Sequence, residues 1–226
     1  QAIEDAATAA ETNAKFRTFF EQGSYFAGVM STDGTLIEAN RLCLDFCGFS
    51  KEEVIGRKFW DCGWWNRSSE LMEMVREGTR EAAAGRLFRR ESAYFIADGT
   101  QRFVDLILAP VKDKEGRVLF IAPTGTDITE YHIEAAIASV HARARTAADT
   151  RWDTIVSLYD TLMALRPSPI VALNRAIALA QLEGPGRGLE AMAAIDDREL
   201  LSEYPFYFAA LAELELRSGR AGAARE

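Results

Sequence analysis

The sequence predicts an α+β domain followed by an all-α domain, and three observations carry this prediction. Short β-prone runs separated by turn signals occupy the part before Glu130, and helical periodicity governs the part after it. All three cysteines and all five lysines precede Glu130, whereas residues 131–226 contain arginine but no lysine. With 226 residues the chain has room for two domains of about 100 residues, each with its own core.

The N-terminal segment is predicted to be a flanking helix. Residues 2–22 place apolar side chains at helical spacing and end in Phe16, Phe19 and Phe20. We expect this apolar stripe to pack on the following sheet or on a second copy of the chain.

Turn glycines and helix caps define the other elements of the first domain. Asp33-Gly34 predicts a hairpin turn. Asn40 precedes a short apolar run that ends at Gly48, and residues 50–53 have the spacing of a capping box. In chain order we predict strands at 25–31 and 35–39, two short helices, an amphipathic helix at 68–84, and strands at 87–97, 101–112 and 117–127.

The last strand is predicted to pass almost directly into a helix at residues 127–130. Asp127 and Glu130 have the spacing of a capping box, and amide hydrogen bonds to Asp127 would stiffen this passage enough to transmit a displacement. We therefore expect Asp127, Thr129 and Glu130 to form a signal relay. An ordinary helix start is the alternative interpretation.

The second domain is predicted to be helical throughout. Helices are expected at 152–165, 170–182, 188–195 and 206–216, and the glycine-rich residues 184–188 are expected to form a turn. A partial repeat of roughly 35 residues favours an array of helical hairpins like that of tetratricopeptide proteins. Because residues 184–188 do not follow a strand, they lack the setting of a dinucleotide-binding loop.

The first part of the chain contains a set of short motifs in a fixed order: Thr32-Asp33-Gly34, Glu38-Ala39-Asn40, residues 48–57, Trp60-Asp61-Cys62-Gly63-Trp64-Trp65, Asp98-Gly99-Thr100 and Asp127-Ile128-Thr129-Glu130. With these motifs, about residues 12–130 resemble a PAS domain, in the variant found in bacterial sensor histidine kinases. The resemblance implies a five-stranded antiparallel sheet with helices on one face and a pocket between them. It also implies a homodimer formed through the PAS domain and its flanking helices. By position in this pattern, the expected ligand-binding residues are Phe26, Val29, Cys43, Phe46, Trp60, Phe95, Phe103 and Ile121.

Residues 131–226 resemble the tetratricopeptide-like C-terminal extension of a subgroup of extracytoplasmic-function sigma factors. The resemblance rests on residues 131–142 and 167–178, together with Glu183-Gly184-Pro185 and Leu189. The promoter-reading and polymerase-binding regions of those factors are missing, and the array breaks off after Gly219-Arg220. The resemblance implies a protein-binding domain, with the transcription machinery as a candidate partner. The expected domains are a flanking helix at 1–22, a PAS domain at 23–130 and a helical domain at 131–226.

Catalysis is not expected, because no arrangement typical of an active site stands out. His132 and His141 both lie on the predicted linker helix, and neither is followed by the sequence of a kinase phospho-acceptor. The resemblance to PAS domains makes haem and photoactive flavin candidate cofactors. Haem is disfavoured because the residues before Glu130 contain no histidine to serve as its axial ligand. Photoactive flavin is disfavoured because the stretch with the reactive cysteine is absent, so the cofactor stays unknown.

The cysteines and tryptophans of the first domain leave two interpretations open. Cys43 and Cys47 lie one helical turn apart, and in one interpretation Cys62 folds back toward them to complete a thiolate metal or redox site. No histidine is available as a further ligand, so we predict core thiols and no metal. Trp60, Trp64 and Trp65 either cover an apolar ligand or pack the helices that cover the sheet.

Composition excludes several classes of function. The formal net charge of −8 opposes binding to nucleic acid, and no apolar run reaches the roughly 18 residues that span a bilayer. With no signal peptide and an odd number of cysteines, we expect a cytoplasmic protein. The predicted function is a non-catalytic sensor that relays through residues 127–130 to a protein-binding domain. The alternatives are a structural interaction protein and an artificial fusion, either with an empty PAS core.

Overall fold

The computed structural model describes residues 2–219, and for residues 2–10 it describes the backbone alone. The chain divides into two compact units that meet in sequence between Thr129 and Glu130. One hydrophobic core lies in the first unit and two smaller ones lie in the second. Each unit therefore buries apolar side chains of its own.

The first unit contains a five-stranded sheet and four helices among the described residues. In chain order they are α1 (Ala2–Gln22), β1 (Phe26–Met30), β2 (Leu36–Ala39), α2 (Arg41–Cys47), α3 (Lys51–Val54), α4 (Ser69–Ala83), β3 (Phe88–Phe95), β4 (Gln101–Lys112) and β5 (Val118–Asp127). Neighbouring strands are all antiparallel, in the order β2-β1-β5-β4-β3. The predicted five-stranded antiparallel sheet is confirmed.

The short helices start and stop where the sequence places polar caps and glycine. The Asn40 side chain accepts a hydrogen bond from the Cys43 amide at 3.1 Å, and Gly48 ends α2 with a φ of 74°. At the start of α3 the Ser50 amide donates to the Glu53 carboxylate at 2.8 Å, which completes a capping box. Local side-chain chemistry therefore sets both boundaries.

The main core lies between one face of the sheet and the helices that cover it. Period-two alternation in β4 turns Val104, Leu106 and Leu108 toward the helices, where all three are buried. Val75 of α4 is fully buried in the same core. Removing each such side chain from water contributes about 1.5–3 kcal/mol, so this face holds the sheet and the helices together.

Phe16 and Phe19 of α1 do not pack on the sheet. Residues 11–19 are exposed throughout, with Phe16 at 48% and Phe19 at 75% exposure. The end of the helix is tied down instead, since the Phe20 carbonyl accepts a hydrogen bond from the Asn40 side chain at 3.0 Å. The first of the two expected packings is therefore wrong for these side chains.

The second unit is all-helical across its described residues. Its helices are α5 (Thr129–Arg143, which starts on the last residue of the first unit), α6 (Trp152–Leu165), α7 (Pro169–Glu183), α8 (Pro185–Ala193) and α9 (Pro205–Arg217). The predicted turn at 184–188 is wrong in part. Gly184, with a φ of 99°, breaks the chain, but Pro185 already begins α8. Arg220, part of the turn after which the array was expected to stop, lies outside the described residues.

A close approach of two helices explains one glycine of that stretch. A Cβ on Gly188 of α8 would lie 2.4 Å from the Cβ of Ala180 on α7. Glycine is required there because any side chain would push the two helices apart. The sequence marked this residue as part of a turn, but its role is in helix packing.

Candidate functional site

A small apolar cavity of about 50 Å³ lies between the sheet and the elements that cover it. Residues from α2 and from the aromatic segment, residues 59–65, form one wall, and they are Cys43, Cys47, Phe59, Trp64 and Trp65. The facing wall comes from the sheet and includes Phe26, Gly28, Tyr94, Val104, Leu106 and Gly125. This volume holds about one or two water molecules and is well below the several hundred Å³ of a drug-sized ligand site.

Of the eight predicted ligand-binding residues, the structure places Phe26 and Cys43 in the cavity wall. Ile121 is fully buried in the main core, away from the cavity lining. Phe103 lies on the opposite side of β4 from the inward-facing Val104, because successive residues of a strand alternate. Neither side chain lines the cavity.

The other four predicted pocket residues lie outside the cavity lining. Val29 is half-buried at a register shift in β1, and Phe46 is 40% exposed on α2. The Trp60 ring centre lies 5.3 Å from the Arg76 guanidinium and 5.9 Å from the Lys58 ammonium, and the Phe95 ring contacts Arg67. Each of these two rings therefore has a cation contact, and neither lines the cavity.

Tyr94 connects the cavity wall to the end of β5. Its ring lines the cavity and is 2% exposed, and its hydroxyl donates a hydrogen bond of 2.5 Å to Oδ2 of Asp127. The pKa of Tyr94 is raised, first by burial and then by the Asp127 carboxylate. The phenol therefore stays protonated and serves as a hydrogen-bond donor.

Asp127 and Thr129 fix the first residue of α5 to the sheet. The second oxygen of Asp127 accepts a hydrogen bond from the Thr129 amide at 3.0 Å. The Thr129 hydroxyl in turn accepts from the Phe103 amide at 2.8 Å. One carboxylate thus bonds both to a cavity residue and to the start of a helix.

The predicted capping box at residues 127–130 does not form. Asp127 is still the last residue of β5, and α5 begins at Thr129, so the two acids are not at the positions that a capping box needs. Glu130 forms an ion pair with Arg166 at 3.3 Å, on the surface of the second unit. The Ile128 amide, which lies between the two elements, donates to the Phe103 carbonyl at 2.8 Å.

Arg102 extends the polar group around Asp127. Its guanidinium lies 4.9 Å from the centre of the Phe46 ring and 3.9 Å from Oδ2 of Asp127. Its Nε is buried and has no hydrogen-bond partner among the described residues. Because Arg102 and Tyr94 are paired across β3 and β4, they share the inner face of the sheet.

The three thiols differ in their surroundings. Cys43 and Cys47 both line the cavity, whereas the Cys62 thiol contacts the Lys58 carbonyl at 3.5 Å. Burial raises the pKa of Cys62 to about 12. Among the described residues, no group of three or more His, Cys, Asp or Glu side chains is arranged to hold a metal ion.

The comparison with protein families decides what this fold is. The family model for the PAS fold matches residues 20–133, about half of the chain. The chain belongs to the PAS family. Its PAS unit is therefore a sensor-like signalling domain, homologous to the PAS domains of sensor histidine kinases.

Several relatives share part of the chain. Hybrid signal transduction histidine kinase D of Dictyostelium discoideum is 31% identical over 121 residues, which are 53% of this chain and 8% of that protein. Sensor histidine kinase TmoS of Ectopseudomonas mendocina is 27% identical over 116 residues, 50% of this chain and 12% of that protein. An uncharacterized protein of Rhizobium meliloti is 43% identical over 95 residues, 42% of this chain and 22% of that protein. The chain spans less than a quarter of the length of each of these relatives.

Solved PAS structures are similar to the first unit at low sequence identity. The PAS domain of an HTR-like protein from Haloarcula marismortui gives a TM-score of 0.44 at 21% identity, covering 55% of this chain and 98% of that one. The PAS domain of Bordetella pertussis BvgS also gives a TM-score of 0.44, at 17% identity, covering 59% of this chain and 99% of that one.

Among the described residues of the PAS protein, no helix has the length and apolar character needed to cross a membrane.

Tyr94 is one of several cavity residues that the sequence-based set of ligand-binding residues lacks. The signal that could have found it is the alternation of β3, together with the pairing of β3 and β4 across the turn at Gly99. That register puts Tyr94 opposite Arg102 and on the same face as Val104. The contact between Tyr94 and Asp127 joins residues 33 positions apart, so only the folded sheet reveals it.

Proposed function

We propose that the chain is a signalling protein in which the PAS unit passes the state of its cavity to α5 through Asp127. The observation that carries this proposal is the shared carboxylate. Asp127 accepts a hydrogen bond from Tyr94 in the cavity wall and another from the amide of Thr129, the first residue of α5. A ligand that moves Tyr94 would withdraw one of the two bonds and change how the carboxylate holds the helix.

The free energy of the hydrogen bond between Tyr94 and Asp127 is large enough to change the balance between two arrangements of the start of α5. A hydrogen bond to a charged group contributes about 1.5–3 kcal/mol, which corresponds to a roughly tenfold to hundredfold shift between two arrangements. Thr129 adds a second anchor, because its hydroxyl bonds to β4 at Phe103. The helix start is therefore held at two points, and a ligand acts on one of them.

We also propose that the helical unit, which would receive the signal from the PAS unit, binds a protein partner. Glu130 follows Thr129 on α5 and forms an ion pair with Arg166, the residue that caps the end of α6. A shift at the start of α5 would thus reach the second helix of that unit. The resemblance of residues 131–226 to the C-terminal extension of sigma factors supports a partner in the transcription machinery.

The exposed apolar stripe of α1 supports a homodimer. Phe16 and Phe19 are 48% and 75% exposed, and the rings of Phe16 and Phe20 stack at 5.4 Å. PAS domains commonly dimerise, and a second copy of α1 would cover these rings.

A second candidate function is a structural PAS unit that binds partners and senses nothing. The cavity of about 50 Å³ favours it, since the core is nearly filled by its own side chains. Comparing the native and denaturing masses of the purified protein separates the two. A defined extra mass per protomer, beyond that of the chain itself, supports the sensor, whereas an unliganded dimer supports the structural unit and an unliganded monomer contradicts the dimer as well.

The relay is tested by amide hydrogen exchange across α5 in the 226-residue chain. Tyr94→Phe removes only the bond on the cavity side of the carboxylate, and Asp127→Ala removes both bonds. We expect the Thr129 amide and the first turn of α5 to exchange about tenfold faster in Tyr94→Phe and faster still in Asp127→Ala. Tyr25→Phe, which changes an exposed tyrosine of the same unit, is the control and should match the parent protein.

The relay would be contradicted if only one of the two variants changed amide exchange across α5. If Asp127→Ala speeds exchange of α5 while Tyr94→Phe leaves it unchanged, Asp127 holds the helix without any link to the cavity. The proposed relay would then be wrong.

A further inference from the structure

Arg102 lies on the strand between the two residues that the hydrogen bond of the relay joins. In the sheet order, β4 separates β3 from β5, so the bond from Tyr94 to Asp127 crosses it. Tyr94 is directly opposite Arg102 in the register of β3 and β4, and Asp127 is opposite Val104, two residues further along β4. Since residues two apart on a strand share a face, Arg102 lies on the same side of the sheet as Tyr94 and Asp127.

The Arg102 guanidinium is close to Asp127 but not hydrogen-bonded to it. Its Nη1 lies 3.9 Å from Oδ2 of Asp127, the oxygen that already accepts the Tyr94 hydroxyl at 2.5 Å. A hydrogen bond from nitrogen to oxygen is about 2.7–3.2 Å long, so this cation is roughly 1 Å too far away. The Arg102 side chain is only 18% exposed, and its buried Nε has no hydrogen-bond partner among the described residues. A small movement would therefore give a largely buried cation a bond that it lacks.

The Phe46 ring is the second neighbour of this guanidinium. Its centre lies 4.9 Å from the guanidinium carbon, within the roughly 6 Å range of a cation–π contact. Phe46 belongs to α2, and the next residue of that helix, Cys47, lines the cavity. Both walls of the cavity thus have a connection to Asp127: β3 through Tyr94, and α2 through Phe46 and Arg102.

We propose that Arg102 is the second donor of the relay, and that it bonds to Oδ2 of Asp127 when the Tyr94 hydroxyl leaves that oxygen. This inference rests on the proposed function, because it names the residue that bonds to Asp127 in the second arrangement of the relay. Arg102 is a positioning residue, since it acts on α5 through the carboxylate.

Charge and distance favour this exchange of donors. A hydrogen bond between a guanidinium and a carboxylate is roughly twice as strong as one between neutral groups. The Asp127 side chain is only 20% exposed, so losing Tyr94 without a replacement would leave a largely buried carboxylate oxygen unpaired, which is costly. Arg102 must leave the Phe46 ring to reach this oxygen, and the new bond therefore restores only part of the hold on α5.

The exchange gives the relay two defined arrangements. In the first, Tyr94 bonds to Asp127 and the guanidinium stays at the Phe46 ring. In the second, Arg102 bonds to Asp127 and Phe46 loses its cation contact. A ligand or partner shifts a population only if a second arrangement of similar free energy exists, and Arg102 supplies it.

The test compares Arg102→Met in two backgrounds by amide exchange of Thr129 and the first turn of α5, in the 226-residue chain. In the parent protein Arg102 makes no hydrogen bond to Asp127, so Arg102→Met should change the exchange rate by less than about twofold. In Tyr94→Phe the guanidinium holds the carboxylate, so adding Arg102→Met should speed exchange about tenfold further. An equal factor in the two backgrounds would overturn the proposal, because Arg102 would then act by packing alone.

Two further variants separate the cation from the packing of its side chain. In the Tyr94→Phe background, Arg102→Lys keeps a positive charge and three donors, so it should exchange at nearly the rate of Tyr94→Phe alone. If Arg102→Lys behaves like Arg102→Met, the cation is not the donor and the proposal is wrong. Arg67→Met is the matched control: it removes a guanidinium that lies over a different ring, Phe95 at 5.8 Å, and it should act equally in both backgrounds.

A measurement on Tyr94→Phe alone addresses the same question without a second substitution. The Nη protons of Arg102, observed by NMR, should exchange with water about tenfold more slowly in Tyr94→Phe than in the parent, because they become hydrogen-bonded. Unchanged exchange of these protons would show that the guanidinium does not take over the carboxylate, and the proposal would be overturned.

Loss of the Arg102 role and loss of the relay give different results. If Tyr94→Phe speeds exchange of α5 but Arg102→Met acts equally in both backgrounds, the relay stands and only the role of Arg102 is wrong. If neither Tyr94→Phe nor its combination with Arg102→Met changes exchange of α5, the relay itself is wrong, and the role of Arg102 falls with it.

Discussion

The Asn40 side chain makes four hydrogen bonds that connect three elements of the first unit. Its carbonyl oxygen accepts hydrogen bonds from the amides of Ala27 and Cys43, each at 3.1 Å. Its amide nitrogen donates to the carbonyls of Phe20 and Tyr25, each at 3.0 Å. One fully buried side chain therefore holds α1, β1 and α2 together.

Substitution of Asn40 is expected to cost more than the loss of a helix cap. Asn40→Ala leaves four backbone groups without their partner and should lower the free energy of unfolding by about 3 kcal/mol. Asn40→Asp keeps the two acceptor bonds but turns a carboxylate oxygen toward the carbonyls of Phe20 and Tyr25, so it should also destabilise. Urea unfolding of both variants is the measurement, and a loss of only about 1 kcal/mol in Asn40→Ala, typical of a cap alone, would contradict this reading.

At the scale of elements, two turn glycines with the same backbone conformation have different surroundings. Gly34, between β1 and β2, has a φ of 87°, and Gly116, between β4 and β5, has a φ of 84°. A Cβ on Gly34 would lie 2.3 Å from the Trp60 ring, whereas one on Gly116 would meet nothing within 4 Å. The first glycine is required by both conformation and space, and the second by conformation alone.

The two alanine variants should therefore differ in stability. Gly116→Ala should cost about 1 kcal/mol for the left-handed backbone alone. Gly34→Ala should cost about 1–2 kcal/mol more, because Trp60 must leave its place against the turn. Thermal unfolding of the pair measures the difference, and equal losses would show that Trp60 moves aside without cost.

For the whole molecule, the separate cores predict that the two units fold independently. The core of the second unit includes Ile133 and Ile137 of α5, which are 8% and 7% exposed. Helix α5 therefore belongs to the packing of the second unit, even though its first residue is anchored to the sheet.

Fragments test this division. Residues 1–130 and residues 128–226 should each show a cooperative thermal transition. A shorter fragment, residues 146–226, loses the buried isoleucines of α5 and should be less stable than 128–226 by about 3 kcal/mol or more. If removal of α5 leaves the stability of the second unit unchanged, the assignment of α5 to that core is wrong.

The sequence by itself determined the elements and the family. Asn40, Gly48 and Ser50 are local signals whose hydrogen bonds or backbone angles act within one helical turn, so the helix boundaries follow from neighbours in the chain. The strands and their turns at Gly34 and Gly99 obey the same local rule. Composition and periodicity also separated a mixed first half from a helical second half.

Only the tertiary structure decided the site. The bond from Tyr94 to Asp127 joins strands β3 and β5, which are not neighbours in the sheet, and the cavity wall combines α2, the aromatic segment and all five strands. Position within a family pattern predicted Trp60 in the pocket, but its ring packs against the turn at Gly34 and does not line the cavity. The physical reason is that local hydrogen bonds depend on sequence spacing, whereas a cavity depends on which distant side chains meet when the sheet closes under its helices.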